Sequence, residues 1–167
     1  MYTNNKVGNV IYKVIEYFGD DVRRINHFLK VYGYVKMIGE CENLDDSMQE
    51  ILEVTAVLHD VGIKVAEQKY NSSAGYYQQL EGPPVAKKIL DELGYPDDFV
   101  ERVMYLIAHH HTYTNIDGMD YQILVEADFL VNADEDRLSS DAIENFKEKI
   151  FKTTTGIAVL ENNYLNL

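Results

Sequence analysis

Apolar residues recur at intervals of three and four along nearly the whole chain, the repeat that lines one face of an α-helix. Val7, Val10, Ile11, Val14, Ile15 and Phe18 form one stripe, ended by Gly19 and Asp20. Asp20 or Asp21 can cap a second helix carrying Ile25, Phe28, Leu29, Val31, Tyr32 and Val35 before Gly39. The run from Asn43 to Ser47 offers the next cap, for a helix with Met48, Ile51, Leu52, Val54, Thr55 and Leu58 that continues to Gly62. Residues 64 to 80, rich in Gln, Ser and Tyr, break the repeat and predict a short helix or a surface loop. Pro83 and Pro84 suit a first helical turn, followed by Val85, Ala86, Ile89, Leu90 and Leu93. Pro96 and Asp97 start another helix that leads into His109, His110 and His111. A further one runs from about Tyr121 to Val131, and one or two more cover roughly 140 to 165. No alternating stretch competes, so the pattern predicts an all-α, single-domain helical bundle over 1–167.

Composition narrows the setting. The 167 residues can bury one core without disulfides, and Cys41 has no partner in the chain, which together point to a reducing cytoplasm. The first twenty residues interleave polar and apolar positions and give no signal-like core. No window approaches the ~18 apolar residues of a membrane span, so the 46% hydrophobic content is expected to serve a core. A formal charge of −13 would repel a long nucleic-acid backbone. It leaves room for a small anionic substrate, since a metal or a local Lys or Arg reverses the sign of one pocket.

Four places interrupt the apolar stripes with metal-capable side chains: His27, His59-Asp60, the His109-His110-His111 run, and Asp128. Each has an ordinary reading alone, the histidine as a hydrogen-bonded core residue and the aspartate as a helix cap or an arginine partner. Together they ask for more, because ionised carboxylates are costly to bury without a counter-charge. A divalent ion supplies it for Asp60 and Asp128 at once. Imidazole and carboxylate donors suit Fe, Mn, Ni, Co or Zn. Neighbours on a helix point about 100° apart, so Asp60 can bridge two ions while His59 serves one.

In this order, on successive helices, the residues resemble the HD superfamily of metal-dependent phosphohydrolases. RINHFLKV resembles its first-histidine helix, AVLHDVGI its apolar-His-Asp-x-Gly signature, LIAHHH its later histidine helix and EADFLVN its closing Ala-Asp helix. The resemblance covers roughly residues 20 to 132, leaving 133–167 as a C-terminal helical extension. It implies that His27, His59, Asp60 and Asp128 bind one metal. For a second ion it implies His110 and His111, because the isoleucine three residues before the first histidine selects Ile107; His109 falls on another side. Where binuclear relatives have a histidine before a small helical residue, this chain offers Glu81, either as a substitute ligand or as a carboxylate favouring a helix N-terminus. The site would thus hold one or two ions.

The implied reaction is hydrolysis of a small phosphate ester, a nucleotide or related phosphate, with Asp60 orienting a metal-activated water. Lys64 would approach the phosphate, unless it is a solvated surface lysine, and Arg23 or Arg24 could neutralise it. The segment holding Lys69 and Tyr76 is expected to contact substrate. Alternatives within the same fold are a di-iron enzyme that oxidises its substrate with O₂, and a module that senses a nucleotide without turnover. No phosphate-cradling glycine loop, Gly-x-Ser-x-Gly elbow or His-Glu-x-x-His is present. A homodimer is the prior expectation for assembly.

Overall fold

A computed structural model describes residues 6–165. The order is α1 (Lys6–Phe18), α2 (Val22–Cys41), α3 (Asp46–Leu58), α4 (Ile63–Tyr70), α5 (Gly75–Glu92), α6 (Asp97–His109), α7 (Met119–Glu135), α8 (Ser140–Ile150) and α9 (Thr154–Leu160), then one π-helical turn (Glu161–Leu165). The described residues contain no strand, and the protein is all-α. Polar side chains start several helices: Asp21 accepts from the Arg24 amide, Asp45 from Met48, Ser139 from Ala142 and Thr153 from Gly156.

Two apolar clusters share the middle of the chain. One joins α1, α2, α3, α5 and α6 through Val14, Phe28, Leu58, Leu90, Val103 and Ile107. The other joins α2, α3, α6, α7 and the C-terminal helices through Val35, Leu52, Leu106, Leu124, Phe129, Phe151 and Leu160. Tyr32 and Ile51 pack against both. α7 is buried on almost every side, from Asp120 to Val131 without interruption, which explains why its sequence shows little amphipathic contrast.

The short helix expected as one option after Gly62 is present, and one expectation, the place of the two prolines, changes. The polar stretch after Gly62 contains α4, closed by Asn71 in the left-handed region (φ 51°), and the start of α5. Pro83 and Pro84 lie inside α5, which begins at Gly75. Their missing N–H groups leave the carbonyls of Gln79 and Leu80 without their usual helical donors.

The residues after Ile150 are tied to α7 by one carboxylate. Glu126 is fully buried and accepts from the Gln122 amide (2.7 Å), the backbone N–H groups of Lys152 (2.7 Å) and Thr153 (3.0 Å), and the Thr153 hydroxyl. Gly156 keeps the space open, since a Cβ there would lie 2.0 Å from Glu126 Oε2.

Candidate metal centre

The His-Asp pair stands just past a helix end. α3 stops at Leu58, and His59 to Gly62 turn the chain into α4. His59 keeps helical angles (φ −57°, ψ −35°), and its Nε2 and Asp60 Oδ2 converge to 3.5 Å. Gly62 is required by packing, because a Cβ would lie 2.5 Å from the Gly82 nitrogen and 2.6 Å from the Gln78 carbonyl. This contact lays the first part of α5 against the turn. His110 follows the end of α6 in the same way.

The last carbonyls of a helix lack intrahelical donors. His59 Nδ1–H fills one by donating to Ala56 O, and His110 Nδ1–H does so with Ile107 O, both at 2.7 Å. Each bond fixes the tautomer and leaves the Nε2 lone pair facing inward. His27, in the middle of α2, faces inward by another route: its Nδ1 lies 2.9 Å from Glu135 Oε2 on α7, and Glu135 also takes Lys30 Nζ at 2.9 Å. A carboxylate behind a histidine raises its basicity as a ligand.

Four donor sets meet. His27 Nε2 lies 3.2 Å from Asp128 Oδ1 and 3.4 Å from Asp60 Oδ2, and His59 Nε2 lies 3.4 Å from Asp128 Oδ1. Asp60 turns its other oxygen the opposite way, 3.6 Å from His110 Nε2. His27, His59 and Asp60 thus form one group with metal-ligand spacing, and Asp60, His110 and His111 a second that shares the aspartate.

Without an ion, imidazolium charge balances the two carboxylates. Burial disfavours charge on His59, but Asp60 and Asp128 outweigh it and push its pKa up to about 9. Burial likewise raises Asp60 and Asp128, yet imidazoles beside each hold both carboxyls below the usual range. His111 goes the other way: burial, then His110, pull it down to about 4, so it is neutral at pH 7. His110 Nε2 is buried without a hydrogen-bond partner, in the place where an ion would satisfy it. Imidazole nitrogens, two acidic carboxylates and this orphaned nitrogen are donors that fit a divalent ion. The groups open onto a cavity of about 730 Å³ whose lining includes Arg23, Arg24, Ser73, Gln78 and Asn132.

The family model for the HD domain matches residues 24–144. The chain belongs to the HD domain family. It is also similar to the solved structure of a predicted HD superfamily hydrolase from an uncultured Thermotogales bacterium. The two are 23% identical, with a TM-score of 0.65 over 96% of this chain and 84% of that one, a likeness that bears on the fold. No curated protein matches the chain.

Within this HD domain, His27, His59, Asp60, His110, His111 and Asp128 come together as expected, and Arg24 reaches the same cavity, held by Asp21 (2.7 Å) and Glu67 (2.5 Å). His109 stands apart, its Nδ1 bonded to Tyr105 O. Four expected residues lie elsewhere. Glu81 turns from the centre to accept from Lys69 Nζ and the Tyr70 hydroxyl, both at 2.8 Å, so Lys69 is spent on the same pair. Lys64 Nζ donates to Tyr17 O at 2.9 Å, where it also lies over the Tyr17 ring, away from the cavity lining. Tyr76 is 71% exposed. The side chain of α5 that faces the centre is Gln78, one turn before Gly82; that spacing was the available signal, and the charge of Glu81 obscured it. Glu135, two turns beyond Asp128 on α7, was legible in the same way.

Proposed function

We propose that this protein is a metal-dependent phosphohydrolase acting on a small phosphate ester, such as a nucleotide or related phosphate. One observation carries the reading: Asp60 presents one oxygen to His27 and His59 and the other to His110, at the base of a cavity with arginines along its wall. His27, His59, Asp60 and Asp128 would hold one divalent ion, and Asp60, His110 and His111 a second. When bound, such ions supply Lewis acidity toward phosphoryl oxygens and a water of near-neutral pKa.

The chain's own residues do the rest. Asp60 orients the attacking water toward phosphorus, and His59 and His110 are held rigid by their backbone bonds, so little reorganisation accompanies the reaction. Arg24, and Arg23 exposed beside it, meet the phosphate charge at the mouth. Ser73 and Asn132 offer neutral hydrogen bonds to the remainder of the substrate. The cavity volume suits a molecule of nucleotide size.

The test is a panel of nucleotides and sugar phosphates incubated with chelator-stripped protein reloaded with Mn²⁺, Co²⁺, Ni²⁺, Fe²⁺ or Zn²⁺, read as phosphate release. Turnover that needs the metal supports the reading. Oxygen uptake with iron and no phosphate release would replace it with oxidation, and a ligand-induced melting shift without any turnover would replace it with sensing.

Glu135→Ala provides a separate check on how His27 is aimed. Its loss is expected to weaken the metal position that includes His27 about 10–100-fold in competition with a chromogenic chelator, with helical content unchanged. Unaltered affinity would show that His27 needs no support from α7.

A further inference from the structure

The two donor groups around Asp60 are unequal in composition. On the Oδ2 side stand His27, His59 and a second carboxylate, Asp128. On the Oδ1 side stand His110 and His111, and the grouping there contains no second carboxylate. The side chain that faces this second group is Gln78, which is 7% exposed and places Oε1 3.2 Å from His111 Nε2. Its amide nitrogen donates to the Ser73 carbonyl at 2.7 Å. That bond decides the orientation of the amide, with the NH₂ turned to the carbonyl and the oxygen turned to His111. Donor atoms about 2.1 Å from a common ion stand roughly 3–3.5 Å apart. The Gln78–His111 separation falls in that range, as do the His27 and His59 separations from Asp128.

We propose that Gln78 completes a second metal position with Asp60, His110 and His111, and that its neutral amide oxygen makes this position the weaker, exchangeable one. The inference rests on the metal reading given above and adds to it which position fills first. The first position has Asp128 as a direct donor besides a share of Asp60; the second has its share of Asp60 as its carboxylate donor, with Asp128 only as a nearby charge. An ion already in the first position also repels the next. An amide oxygen in place of a nitrogen donor shifts the second position toward a harder ion such as Mn²⁺. The close approach of Gly62 to Gly82 holds Gln78 at this distance, so the amide is a fixed part of the wall.

The experiment is a titration of chelator-stripped full-length protein with Mn²⁺, followed by calorimetry and by the paramagnetic resonance of free Mn²⁺. Two classes are expected in the wild type, separated by about tenfold or more in affinity. Gln78→Ala should keep the first class and weaken the second by about the same factor. Gln78→His, and Gln78→Glu as a variant of unchanged size, should tighten the second class, with circular dichroism confirming the fold. Two equal classes in the wild type, or a second class indifferent to Gln78→Ala and Gln78→Glu, would overturn the proposal. Absence of any bound Mn²⁺ in both wild type and Gln78→Glu would overturn the metal reading itself.

Discussion

Asp60→Ala is expected to empty both metal positions and to lower phosphate-ester hydrolysis by at least about 10³-fold. The size of the effect follows from the geometry. Asp60 Oδ2 lies 3.4 Å from His27 and 3.5 Å from His59, and Oδ1 lies 3.6 Å from His110, so one truncation removes a donor from each group. His110→Ala is the useful contrast, since it touches only the second group. Elemental analysis of both variants against wild type, after gel filtration, separates the two cases. Asp60→Ala should also remove a counter-charge from fully buried His59, so its metal-free form is expected to melt at a lower temperature. Asp60→Asn keeps the volume and isolates the charge. Full metal content and activity in Asp60→Ala would remove the basis of the proposed function.

The second large effect is on pH dependence without metal. His59 has its pKa raised to about 9 against an ordinary 6.5, burial being outweighed by Asp60 and Asp128. A base whose folded pKa is raised stabilises the fold fully below its unfolded value, and that contribution disappears as pH climbs through the folded one. In chelator, stability is therefore expected to decline between pH 6.5 and about 9, by up to about 3 kcal/mol. Asp60 and Asp128, held below their usual range, contribute fully across that window and lose their part only in acid. Thermal melts in chelator from pH 6 to 10 measure the decline. An ion must displace the His59 proton, so metal affinity should rise over the same interval and binding at pH 7.5 should release a proton to buffer. A flat melting profile would show that His59 is neutral in the metal-free fold.

How much of this was legible in the sequence depended on whether a residue's role was set locally. The helices and their caps were, because apolar spacing and residues such as Asp21 and Asp45 act within one turn. The ligand candidates were too, since His27 and Asp128 are conspicuous in apolar surroundings and the family pattern gives their order. Orientation across elements was not. Lys64 and Glu81 have suitable chemistry, but Tyr17 O takes one, and Lys69 with Tyr70 takes the other. Gln78 is bland in sequence and becomes relevant only because Gly62 and Gly82 let two backbones touch. The convergence of His59 and Asp60 likewise shows only in three dimensions, where the two side chains close to 3.5 Å.

The buried carboxylate of Glu126 gives the C-terminal segment a part in this chemistry. Glu126 stands two residues before Asp128 on α7, and three of its four hydrogen-bond donors come from Lys152 and Thr153. A chain shortened ahead of Lys152 would take three of those donors and the covering Gly156 from Glu126, and with them the brace behind the helix bearing both Asp128 and Glu135. The tail is thus a keystone set behind the arch: it lines no part of the cavity, yet it braces from behind the helix that carries Asp128 and Glu135.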